Sequence, residues 1–135
     1  MAKIGIVRDA RYLDHQAQMY HPESHHRLEV IYRMLQEPEI KGKFVEIEPR
    51  PATREELELI HVPRYVQFVA ATAKQDYTML DPDTFACSKS YETARLAAGG
   101  VLAAVDRVMS GTVESAFAFI RPPGHHAESG RAMGF

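Results

Sequence analysis

Arg121-Pro122-Pro123-Gly124-His125-His126 sets two neighbouring imidazoles directly behind a stretch of restricted backbone. Histidine titrates nearest neutrality, so two imidazoles aimed into one cavity can divide the work of proton acceptor and proton donor. Their titrations would be coupled. The dipeptide alone carries little weight, because seven histidines in 135 residues produce roughly a third of such a pair by chance. Indeed His25-His26 forms a second pair. A solvated loop is the competing reading of His125-His126. Two prolines stiffen the segment and Gly124 permits close backbone approach, features that would aim the side chains that follow.

Something rigid must hold that loop. Ala116 to Ile120 is almost wholly apolar and reads as a strand covered on both faces. Ligands of parallel α/β sheets bind beyond the carboxyl ends of strands, which is where the histidines fall. Lys3 to Val7 and Phe44 to Ile47 read as two further strands. A helix is predicted from about Glu23 to Gln36, with Leu28, Ile31 and Leu35 at helical spacing and Pro38 marking its end. Thr53-Arg54-Glu55-Glu56 fits a capping box that starts a short helix. Pro63 suits the first turn of another, running to about Ala73, in which Tyr65, Phe68 and Val69 are core contacts. Asp81-Pro82-Asp83 reads as a turn. The longest helix is expected after Ser88, running to about Met109 with Ala94, Ala97, Val101, Val105 and Val108 on one face and Gly111 ending it. Gly99-Gly100 inside it costs about 1 kcal/mol per glycine, which close packing against the sheet would justify. Strands alternating with helices give a layered α/β domain over residues 1–135, without repeats.

The whole run Arg121-Pro-Pro-Gly-His-His-Ala-Glu-Ser-Gly-Arg-Ala-Met-Gly-Phe135 resembles the signature of the zinc-dependent histone deacetylase superfamily, in the double-proline form of its class II and bacterial branch, the acetoin-utilisation and acetylpolyamine amidohydrolase proteins. Weaker likeness extends over His21-Pro22-Glu23 with Arg27-Leu28, His61 to Tyr65, and Asp81-Pro82-Asp83-Thr84 ahead of Ala97-Ala98-Gly99. The resemblance implies a three-layer arginase-like α/β fold with a parallel sheet, of which this chain holds the N-terminal part with about three strands. It implies hydrolysis of acetyl-lysine or acetylpolyamine amides, zinc polarising the carbonyl and activating water. His125 and His126 are then the general base and acid. Phe135 resembles an aromatic wall of the substrate channel, with Gly134 and Gly124 beside it. Asp83 resembles a carboxylate that accepts substrate N–H groups, although a helix-entry turn explains it almost as well. Arg27 resembles an arginine lining an internal cavity, in a context, Ser24-His25-His26, that departs from the usual spacing.

By the same likeness the zinc ligands, the aspartates that orient the histidines and a carbonyl-polarising tyrosine belong to segments beyond Phe135. No residue of this chain is therefore assigned to the metal, and the chain alone is expected to hold no zinc and to be inactive. The other reading is a non-catalytic assembly module. Either way a sheet of three strands leaves an unpaired edge and uncovered apolar faces, so a homo-oligomer or a complementing chain is expected.

Other residues suit simpler explanations. His21, His25 and His26 could share a metal, since positions 21 and 25 lie on one helix face, or could simply form an exposed helix start. Cys87 precedes a helix with only Lys89 as a basic neighbour, and reads as structural. As the only cysteine it favours a reducing compartment, and the cytoplasm is expected. Sixteen basic against 18 acidic residues leave a net charge of −2, so neither nucleic acid nor an anionic membrane is the expected partner. The longest apolar run, Leu96 to Val105, falls well short of the roughly 20 residues that cross a bilayer, and a soluble protein is expected.

Overall fold

The computed structural model describes residues 2–135. Its centre is a parallel sheet of three strands, β1 (Ile4–Val7), β2 (Val45–Ile47) and β3 (Ser115–Ala118), in the order β2-β1-β3. Gly5 pairs with Val45 on one side of β1 and with Ala116 on the other. A Cβ on Gly5 would overlap Cδ1 of Ile47 and lie 3.3 Å from the Val113 side chain, so the central strand is kept narrow there. The three strands expected from sequence are thus present, each displaced by a residue or two. Phe119 and Ile120 fall outside β3, although the Phe119 N–H still donates to the Val7 carbonyl at 2.9 Å.

The expectation that the last strand is covered on both faces does not hold. Ala116 and Ala118 are half-buried beside the core, but Phe117 points to the other face and is 60% exposed. Side chains alternate across a strand, and the covered face is the one against the long helix α4 (Ser90–Met109).

Around the sheet lie α1 (His25–Met34), α2 (Arg54–Glu58) and α3 (Pro63–Ala71). The capping box is formed as the sequence indicates: Thr53 Oγ1 accepts from the Glu56 N–H at 3.2 Å and Glu56 returns a bond to the Thr53 N–H at 2.8 Å. Pro63 occupies the first turn of α3. Two short strands absent from the sequence reading, Tyr77–Asp81 and Thr84–Cys87, form an antiparallel hairpin whose turn is Asp81-Pro82-Asp83. The turn residues were legible, while the strands on either side are too short and mixed to show a period.

In α4 the buried face carries Thr93, Leu96, Ala97, Gly100 and Ala104, whereas Val101 and Val105 are exposed. Of the expected face, Ala97 is buried and Val108 packs against the core, while Val101 and Val105 look outward, because the small residues permit the closest approach to the chain beneath. Gly99 lies on Arg50 to Ala52 and Gly100 on Tyr12 and Val7, so only the second glycine reaches the sheet. Gly111, with φ +71°, ends the helix as predicted. The core joins Val7, Tyr12, Leu28, Ile47, Leu96 and Val113. Among the described residues no helix is long and apolar enough to cross a membrane.

Candidate functional site

The loop after β3 is anchored by its first residue. Arg121 is 2% exposed; its Nε and Nη2 donate to the two carboxylate oxygens of Glu23 at 3.1 and 2.9 Å. Nη1 donates to the carbonyls of Tyr12, at 3.1 Å, and His15. This guanidinium fixes the start of the loop against the segment that leads into α1. Farther on, the Ala127 N–H donates to the Gly124 carbonyl at 3.1 Å, closing a turn. The Val62 N–H donates to the Ser129 carbonyl at 2.9 Å, and His61 Nδ1 lies 3.0 Å from the Glu128 carbonyl, so the connection between α2 and α3 holds the middle of the loop.

His125 and His126 stand on this frame with ring centroids 4.3 Å apart and planes tilted by 52°. Both are exposed. A cavity of about 390 Å³ lies alongside, walled by His15, Thr84, Phe85, Pro123, Gly124 and Phe135, and neither histidine lines it. The expectation that both rings aim into one cavity is therefore corrected: among the described residues no carboxylate bonds to either ring to turn it inward.

Gly134 is the residue that constrains His126. Its φ is +81°, and a Cβ there would lie 2.6 Å from both Cβ and Cδ2 of His126. Gly134→Ala is accordingly expected to displace the His126 ring while the helices persist, seen as a changed His126 ring resonance with an unchanged circular dichroism spectrum. An unmoved ring would show that the contact does not set its position.

Phe135 packs edge-on to His21, with centroids 4.5 Å apart. On its other side His21 Nε2 comes within 3.9 Å of Asp83 Oδ1, and the Asp83 N–H donates to Asp81 Oδ1 at 2.7 Å in the hairpin turn. Asp83, His21, Phe135, Gly134 and His126 thus follow one another in contact, with Gly124 nearby in the cavity wall. Arg27 stands apart. Its side chain is exposed and lies 3.3 Å from Glu23 Oε1, on the outside of the Arg121 pair, and the expected place in an internal cavity is not the one observed. Arg121 and Glu23 hold the buried position instead.

His15 gave no signal in the sequence because its neighbours are polar. It is 1% exposed, stacked on Phe85 at 4.7 Å, with Nδ1 2.6 Å from Ser90 Oγ and no partner for Nε2. Burial, assisted by the Arg121 charge, lowers its pKa to about 4 from the ordinary imidazole value. The unfolded chain therefore takes up a proton that the folded chain refuses, and stability falls as pH drops from about 6.5 to about 4. The loss approaches about 3 kcal/mol at the lower end. Denaturation followed across this window should show that slope, and His15→Gln should flatten it. Nearby, burial pushes the Cys87 thiol up, but hydrogen bonds from the Ser90 side chain and from backbone N–H groups of Gln16, Lys89 and Ser90 outweigh it and hold the thiol below its usual value.

A catalytic zinc takes about three protein ligands. Among the described residues His125 and His126 belong to no group of three donors near enough to share an ion, so by themselves they do not fit one.

The family pattern of the histone deacetylase domain matches residues 21–135. A probable deacetylase of Archaeoglobus fulgidus is 37% identical over 133 residues, covering 97% of this chain and 37% of that protein. Histone deacetylase 15 of Arabidopsis thaliana is 37% identical over 116 residues, covering 85% of this chain and 21% of that protein. The human polyamine deacetylase HDAC10 is 34% identical over 134 residues, covering 90% and 19%. Among solved structures, the crystal structure of the HDA15 HD domain superposes with a TM-score of 0.93 at 34% identity, covering 100% of this chain and 40% of that one. The chain spans well under half the length of these relatives.

Proposed function

The chain belongs to the histone deacetylase family, and on that premise we propose that its residues serve the hydrolysis of acetyl-lysine or acetylpolyamine amides in a zinc-dependent domain. His125 and His126 act as proton acceptor and donor at the scissile amide. Gly124, Gly134 and Phe135 form one side of the channel for the acyl-amine chain, and Asp83 accepts N–H groups of the substrate. Residues 1–135 work as one unit. The observation that carries the reading is the succession of contacts from Asp83 through His21 to Phe135, and from Gly134 to His126, which gives one surface both a proton-transfer pair and an aromatic wall.

These 135 residues alone do not turn over. Exposed imidazoles without carboxylate partners lack tautomer control, and among the described residues no three donors surround them. The activity therefore needs further ligands from outside these residues, such as a complementing chain supplies, and the expected compartment is the cytoplasm. A specific feature favours association: Phe117 and Ile4 are 60% and 43% exposed on the open face of the sheet.

The test is an NMR titration with an acetyl-lysine peptide, an acetylpolyamine and their unacetylated counterparts, beside a zinc-supplemented deacetylase assay and sedimentation. Acetyl-dependent shifts at Gly134, Phe135 and Asp83, with no turnover, are expected. Equal response to the unacetylated compounds would reject the substrate site, and turnover by a monomer would reject the need for a partner.

A further inference from the structure

The second histidine pair, outside the site described above, has its own chemistry. His25 and His26 open α1 behind Ser24, and their ring centroids are 4.0 Å apart. Glu29 lies on the next turn, within 2.8 Å of His26 Nδ1 through its Oε2. One donor atom from each of the three residues lies within 4.8 Å of the others. The sequence suggested His21 as the third member, but His21 is engaged with Phe135 and Asp83, and the helix brings Glu29 to the pair in its place.

We propose that His25, His26 and Glu29 form a surface site for a divalent cation of the zinc, nickel or copper class. Two imidazoles and one carboxylate are the donor set such ions select over magnesium or calcium. At bond lengths of about 2.0–2.2 Å, two tetrahedral ligands of one ion stand about 3.3–3.6 Å apart, so closure from 4.8 Å asks for side-chain rotation that moves the donors by a little over about 1 Å. His26 is 71% exposed and Glu29 41% in their side chains, which leaves that rotation open and keeps the remaining coordination positions for water. The carboxylate is already charged: the hydrogen bond from His26, then the nearby His26, His25 and Arg33 charges, hold Glu29 below its ordinary value despite slight desolvation. Arg33, one turn farther along α1, competes for the same carboxylate through its charge. None of the three ligands lines the 390 Å³ cavity, so this site is separate from the one assigned to hydrolysis.

The proposal is tested on the untagged, chelator-treated chain by equilibrium dialysis against zinc at about pH 7.5, where imidazole is available as a ligand. One ion per chain is expected, with affinity reduced about tenfold or more in each of His25→Ala, His26→Ala and Glu29→Ala. His125→Ala and His126→Ala should bind as the parent does. With copper, electron paramagnetic resonance should show coupling to two nitrogens that His25→Ala reduces to one. With His26 exposed and His25 and Glu29 partly so, these substitutions are expected to leave the circular dichroism spectrum unchanged, and a variant that keeps that spectrum but loses binding has not lost it to unfolding. Binding that survives His25→Ala with His26→Ala, binding lost in the His125 or His126 variants instead, or no stoichiometric binding at all would overturn it.

Discussion

Arg121→Met lowers the free energy of unfolding by about 3–5 kcal/mol, the cost of leaving one member of a buried ion pair without its partner. Chemical denaturation of the variant beside the parent measures it. Glu23 is 8% exposed and accepts from Arg121 on each carboxylate oxygen, with one longer bond from the exposed Arg27 at 3.3 Å, while Tyr12 and His15 lose the donor to their carbonyls. Adding Glu23→Gln to Arg121→Met should restore part of the loss, since the stranded charge is then gone. If the double variant is no more stable than the single, the cost came from packing volume and not from charge. Acid acts in the same direction. Burial would raise the Glu23 pKa, but the Arg121 hydrogen bonds and charge outweigh it and the value is lowered. A depressed carboxylate stabilises above its unfolded pKa, and that contribution disappears as pH falls through the folded value.

Gly99→Ala is the second large effect, and it runs against helix propensity. Alanine would gain about 1 kcal/mol in a free helix. Here its Cβ would overlap the Arg50 carbonyl oxygen and lie 2.7 Å from the nitrogen of Ala52, whose N–H donates to the Arg95 carbonyl at 2.9 Å. Backbone cannot rotate away as a side chain can, so a net loss of about 3 kcal/mol is expected, read as a lowered Tm. Gly100→Ala meets the Tyr12 hydroxyl and Val7 side chain and should cost less, because side chains yield more readily. A Gly100 variant less stable than the Gly99 variant would invert that ordering and reject the account.

What could be read from sequence was local. The proline at the start of α3, the Thr53 capping box and the glycine closing α4 each act through neighbouring backbone, and each lies where the residues require. The strands were found to within a residue or two because runs such as Ile4 to Val7 are short and apolar. The hairpin was missed because Tyr77-Thr78-Met79-Leu80 shows neither alternation nor a pure apolar run. The buried face of α4 was only partly legible: Ala97 and Val108 lie on it, but Val101 and Val105 give way to Leu96, Gly100 and Ala104, since close packing there favours small residues. At the candidate site, the histidine run and its flanking glycines were legible as a motif. The distant partners were not: nothing near Glu23 in the chain points to Arg121, and nothing around His15 announces a buried ring on Phe85.

β1 carries a consequence for how the chain is made. Of the three strands of its sheet it is the first to be synthesised and the middle one in space, flanked on one side by residues 45–47 and on the other by residues 115–118. A nascent chain can therefore complete only half of this ladder until residues 115–118 have left the ribosome. Such remote pairing raises contact order and slows folding relative to a helical chain of equal length. Through that interval Ile6 and Val7, later among the least accessible residues, are available to chaperones.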